Sequence, residues 1–309
     1  MSASSSSIRL GLFQVCAAGV LWGTGGIAVT FLHHRTGMGA MTVSAWRMAL
    51  AAVALVAFVG ITGRLRSAVS TFRADKIGTV VVGCGTAAYQ GLYFVAVLQV
   101  GVSIATVVSL GLAPILAATW EHLRAGTRPT VRDVAVLASA LTGLVLVTTG
   151  TQGPAASGSR PVLGLVLAAA AGAVYAATTV LGRGLAQGAD PVPLTTCTTT
   201  VGAIVLVPFA VVAAVLGEPV VSADPAAVAT LVYLGVATMA LAYGLLYAGL
   251  RHTTGSAATV ATLLEPVTAA LLAAVLLGER LPPAALVGGA LILAAVAGLG
   301  RGLGEPAVA

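Results

Sequence analysis

Ten long apolar runs remove most folds from consideration for this chain. They are Leu10–Leu32, Met41–Thr62, Ile77–Val97, Val102–His122, Val131–Gly150, Val162–Leu181, Val192–Leu216, Ala226–Leu250, Ala257–Leu277 and Pro283–Gly300. A helix crosses a hydrocarbon core of ~30 Å with about 20 residues, and each run reaches or approaches that length. Lipid offers no water to orphaned backbone N–H and C=O groups, so a spanning segment must close its hydrogen bonds internally or in a closed barrel. The runs are continuous rather than alternating, which excludes barrel strands. The expected class is an all-α integral membrane protein with ten transmembrane helices.

Composition removes the alternatives. The 309 residues hold 15 Lys and Arg and 9 Asp and Glu, 8% charged, where soluble domains run near 25%. Mean hydropathy is +1.04. So few charges do not cover a soluble surface, and a disordered chain would be polar. Nucleic acid is not an expected partner, because the basic excess is that of membrane loops. Cys16, Cys84 and Cys197 sit in apolar runs and form no disulfide framework or metal spacing. His33 and His34 are too few for a metal site. No phosphate loop or dinucleotide fingerprint is present, so no cofactor is expected. The first run is long enough to span and is read as retained, not as a cleaved signal.

Loop charges set the orientation. With the N-terminus inside, the inner segments hold Arg9, Arg64, Arg66, Arg73, Lys76, Arg124, Arg128, Arg132, Arg183, Arg251 and Arg301. The outer loops hold Arg35, Arg160 and Arg280. Eleven against three predicts cytoplasmic termini in a multi-pass plasma-membrane protein.

The halves repeat. Ala17-Ala18-Gly19-Val20-Leu21-Trp22 in span 1 echoes Ala170-Ala171-Gly172-Ala173-Val174-Tyr175 in span 6. Tyr89 and Tyr93 in span 3 match Tyr243 and Tyr247 in span 8. Span 4 carries Ser103 to Pro114, and span 9 carries Ser256 to Pro266. The offset stays between 152 and 154 residues throughout. An odd number of helices per repeat makes the second half enter from the opposite side. Inverted repeats are how many secondary transporters build two-sided access to a site near the membrane midplane.

These residues resemble the EamA family of the drug/metabolite transporter superfamily. The motifs are Leu21-Trp22-Gly23-Thr24, Arg47, Leu264-Glu265-Pro266 and Leu277-Gly278-Glu279-Arg280-Leu281. The resemblance implies a ten-helix basket around a cavity lined by helices 1, 3, 4, 6, 8 and 9. It also implies transport of amino acids, other small metabolites or drugs, often outward. The expected organisation is a cytoplasmic tail at 1–9, repeats at 10–150 and 162–300, an outer linker at 151–161 and a cytoplasmic tail at 301–309. One departure concerns the span 4 exit, Gly126-Thr127-Arg128, which lacks the acidic residue of its counterpart and has Glu121 six residues earlier.

Charges inside spans are the strongest site candidates, since each costs several kcal/mol in the hydrocarbon centre. Glu265 lies near the middle of span 9, and Pro266 predicts a kink there. Low dielectric disfavours a charged carboxyl, which makes Glu265 a candidate to load and release a proton, or to meet an ammonium group. Its structural alternative is a carboxyl hydrogen-bonded to a neighbouring helix. Arg47 has two readings: a bidentate grip on a substrate carboxylate, or a snorkelling or paired structural role. Glu121, near the inner end of span 4, is the second coupling candidate. Trp22, Tyr89, Tyr93, Tyr175, Tyr243 and Tyr247 are expected on a substrate-facing wall, with Gln90 beside them; core packing is the alternative for each ring. Thr106, Ser109, Thr259 and Thr262 are small polar candidates for the same wall or for interhelical glue.

An intramembrane enzyme is disfavoured. Asp75, Asp133, Asp190 and Asp224 all lie in loops or at span edges, no histidine is at mid-membrane, and His-Glu-x-x-His is absent. The expectation is a secondary active exporter of amino acids or related compounds by alternating access, with protons as the candidate coupling partner. Broad drug or cation efflux and metabolite uptake are the alternatives.

Overall fold

The computed structural model describes residues 5–150, 160–278 and 280–301. Among them every regular element is helical, and ten helices are long and apolar enough to cross a membrane. In chain order the elements are α1 (Ser5–Thr36), α2 (Ala40–Ile61), α3 (Leu65–Ala74), α4 (Lys76–Val100), α5 (Val102–Ala125), α6 (Val131–Gly150), α7 (Pro161–Gly188) and α8 (Pro191–Val215). The eighth span is α9 (Pro225–Gly235), a π-helical segment (Val236–Leu241) and α10 (Ala242–Leu250). The ninth is α11 (Gly255–Ala261) and α12 (Leu264–Leu277); the tenth is α13 (Pro283–Arg301). The expected linker at 151–161, the two tails and Glu279 fall largely or wholly outside the described residues.

Start signals follow local chemistry. Asp75, Asp190 and Asp224 each accept a backbone N–H of the first turn, from Gly78, Val192 and Ala226. Pro161, Pro191 and Pro225 occupy the first helical turn, where a missing N–H costs nothing. Gly126 closes α5 and Gly278 closes α12 in the left-handed conformation that a Cβ would strain. Sequence reading missed α3, which lies in the first long charged connection, and the π segment.

Side chains such as Phe13, Ile61 and Val275 point outward, as they must where the surroundings are acyl chains. Between helices the packing relies on small residues. A Cβ on Gly143 would lie 2.6 Å from the Gly288 carbonyl oxygen, and one on Gly288 equally close to the Gly143 oxygen. That reciprocal contact brings α6 against α13 backbone to backbone. Ser139 reinforces it by donating to the Leu291 carbonyl at 3.0 Å.

The contact pattern is two-fold. Span 3 packs on span 6 and span 4 on span 6; their counterparts, span 8 on span 1 and span 9 on span 1, do the same. Spans 2 and 7, 4 and 9, and 5 and 10 pair with their own equivalents. The match reaches single residues. Gly19 sits against the backbone of Thr262, and Gly172, 153 positions on, sits against that of Ser109. Ten antiparallel spans leave both chain ends on one side, called here the terminal side.

Candidate substrate cavity

The two-fold arrangement builds an aromatic cluster at the centre. Tyr89 on α4 stacks on Tyr175 of α7, with ring centroids 5.1 Å apart. Its repeat counterpart, Tyr243 on α10, meets Trp22 of α1 edge-on at 5.2 Å. The helical i, i+4 spacing then places Tyr93 6.0 Å from Tyr89 and Tyr247 6.3 Å from Tyr243. Packing contacts of this kind are worth about 0.5–1.5 kcal/mol each beyond burial.

Above this cluster lies a cavity of about 410 Å³, bounded by Trp22, Arg47, Tyr89, Gln90, Tyr93, Tyr175, Met239, Tyr243 and Glu265. Its walls rise through Val29, Thr30, Ala40, Val97 and Val102, which end their helices on the side opposite the termini. Directly below the rings lies a space of about 10 Å³, between Thr178, Thr179, Leu246, Tyr247 and Leu250. The cavity therefore opens away from the terminal side, and the aromatic rings are its floor.

Of the sequence-derived candidates, Trp22, Arg47, Tyr89, Gln90, Tyr93, Tyr175, Tyr243 and Glu265 meet in this cavity. Tyr247 lies beneath the floor. Glu121 is elsewhere: on the terminal side its carboxylate accepts the backbone N–H of Gly255 at 2.7 Å and of Ser256 at 3.2 Å, and the Ser256 hydroxyl at 2.5 Å. It ties α5 to the first turn of α11. Span 2 also joins the wall through Ala40 and Arg47.

Glu265 follows a break in span 9. Pro266 has no N–H to give to Thr262, and the chain turns at Thr262–Leu263, where Glu265 N–H bonds the Thr262 carbonyl at 2.9 Å. The expected kink is thus a two-residue turn that interrupts the α-helix. Pro114, the repeat counterpart, sits within an unbroken α5. The Thr262 hydroxyl bonds the Tyr175 hydroxyl at 2.9 Å and fixes that ring.

Arg47 is turned inward rather than snorkelling. Its Nη2 donates to Thr238 Oγ1 at 3.2 Å and approaches Met239 Sδ at 3.6 Å, while Nε is buried with no acceptor among the described residues. Gln90 Oε1 is likewise buried and unpartnered. Neither Arg47 nor Glu265 has an ion-pair partner within 4.0 Å among the described residues. Thr238 and Met239 belong to the π segment, whose wide turn shifts the register of span 8 toward Arg47. No sequence pattern marked them, because a π bulge is set by packing more than by composition.

Inverted repeats of five helices around a midplane cavity, with an acid and a base on its wall, define a membrane transporter. The chain belongs to the EamA-like transporter family, whose profile matches residues 9–149 and 162–301. It is 28% identical over 284 residues to the uncharacterized transporter YwfM of Bacillus subtilis, covering 91% of this chain and 90% of that one. It is 26% identical over 296 residues to the uncharacterized inner membrane transporter YicL of Salmonella typhimurium, covering 94% and 95%. A solved crystal structure shares the fold, with a TM-score of 0.77 at 21% identity over 98% of this chain and all of that one.

Proposed function

We propose that this transporter exports zwitterionic amino acids or closely related metabolites, with both termini in the cytoplasm and protons as the coupling ion. The observation that carries this is the pair of opposite charges, Arg47 and Glu265, lining one cavity, neither with a counter-charge within 4.0 Å among the described residues. An unpaired charge at this depth costs about 2.5–3.5 kcal/mol on insertion scales. A guanidinium takes a carboxylate bidentately, a carboxylate takes an ammonium, and the ring faces around them favour a cation. An α-amino acid offers both charges on one carbon framework. When substrate leaves, a proton on Glu265 neutralises the carboxylate, which links the two ligands through competition for one site.

The test is counterflow of labelled amino acids in sealed proteoliposomes. The parent protein should exchange zwitterions and ignore the corresponding amines and carboxylic acids. Arg47→Gln and Glu265→Gln should each lower affinity about tenfold or more, the loss of a charge-assisted bond of ~1.5–3 kcal/mol. Equal exchange of amines lacking the carboxylate would favour cation efflux instead.

A further inference from the structure

We infer that a second chamber beside Glu265 is the subsite for an apolar substrate side chain, so that the carrier selects zwitterions with large aliphatic or aromatic groups. This rests on the amino-acid reading above. The chamber has a volume of about 270 Å³ and lies between α1, α4, α5, α6 and α12. It shares Trp22, Gly26, Tyr93, Val102 and Glu265 with the main cavity, so the two communicate across the carboxylate.

Away from Glu265 its walls are mostly apolar. Leu110, Val147 and Ala270 are each under 10% exposed, and Pro266, Ala269 and Ala273 complete the α12 face. Three hydroxyl residues border it, Ser103, Thr106 and Thr148; Thr106 bonds the Tyr93 hydroxyl at 2.7 Å, and Thr148 donates to the Leu144 carbonyl at 2.7 Å. A volume several times the ~30 Å³ share of one water, walled mostly by hydrocarbon away from Glu265, favours an apolar occupant.

Connectivity assigns that occupant. In an α-amino acid the ammonium and the side chain leave the same carbon. With the ammonium at Glu265 and the carboxylate toward Arg47 in the main cavity, the third substituent has the adjoining chamber open to it. The small side chains at 269, 270 and 273 then set how large that substituent is.

The experiment measures binding of glycine, alanine, norvaline, leucine and phenylalanine to purified full-length protein in detergent, in the parent and in Ala270→Phe and Ala273→Leu. The parent should gain about fourfold in affinity per added methylene, the value for a CH₂ leaving water. Both variants should lose tenfold or more for leucine and phenylalanine while holding glycine and alanine within twofold, which also shows that they are folded. A flat series in the parent, or a uniform loss across the series in both variants, overturns the subsite and leaves the amino-acid reading standing. A parent that binds none of the five overturns that reading and the subsite with it.

Discussion

At the residue scale, the cavity asks different things of its aromatic and charged members. Trp22 contacts Tyr243 and borders both chambers, yet it is only partly buried, so it presents a face to the ligand space. Trp22→Ala is expected to weaken substrate binding about tenfold, as a lost stacking and burial contact of ~1.5 kcal/mol would, with the melting temperature within a few degrees of the parent. Unchanged affinity with a large fall in thermal stability would make the ring packing alone. Glu265→Gln keeps size and hydrogen bonding but does not titrate. If Glu265 carries the coupling proton, this variant exchanges substrate across equal solutions, more weakly than the parent, and does not concentrate it under a pH gradient. Accumulation matching the parent from about pH 5.5 to 8.5 would move coupling elsewhere. Glu265 was legible because a charge in an apolar run is costly and therefore conspicuous. Thr238, Met239 and the inward turn of Arg47 were not legible, because each depends on a neighbour nearly two hundred positions away: the Arg47–Thr238 bond spans 191 residues.

At the element scale, the long apolar runs were legible because membrane thickness dictates their length, and antiparallel order follows from short connections. The irregular turns inside spans 8 and 9 were only partly so. Pro266 marked one; the π segment has no such marker. The role of Glu121 was hidden because its partners are backbone N–H groups of another helix, 134 residues on. There it joins α5 to α11 on the side where the cavity is shut. The repeat counterpart of Glu121 is Ala274, which offers no carboxylate to the start of α5. The asymmetry matches a cavity open only on the opposite side. Glu121→Ala is therefore expected to loosen the terminal side and shift the access equilibrium. Three hydrogen bonds to a carboxylate, at ~1.5–3 kcal/mol each before solvent competition, are enough to change a two-state population tenfold or more. Double electron–electron resonance between labels on α5 and α11 should show a longer distance in the variant; an unchanged distribution would reduce Glu121 to a helix cap. Packing gives a second check. Gly143→Val drives a side chain into the Gly288 carbonyl and is expected to destabilise by about 1–3 kcal/mol or more, read as a lower melting temperature without change in substrate preference.

At the scale of the whole molecule, orientation and access form one question. The charge bias predicts that the terminal side faces the cytoplasm, and the cavity opens on the other side. Together these predict that the conformation described here faces outward. Single cysteines placed in a background where Cys16, Cys84 and Cys197 are replaced by serine test both halves of the statement. A cysteine for Thr30 lies on the open wall, and one for Thr178 lies beneath the aromatic floor. In intact cells, an impermeant maleimide should label the first and spare the second. Added substrate that the carrier moves should protect position 30 and, by populating the opposite state, bring position 178 within reach of the same reagent in inside-out vesicles. Labelling of position 178 from outside intact cells, with position 30 spared, would reverse the orientation and the assignment of outward access with it. Labelling of both from one side would deny the rings their place as a floor. In the proposed export cycle this state follows release of the cargo. The slow step under a substrate gradient would then be its return with Glu265 protonated, and transport should quicken as the outside is made more acidic.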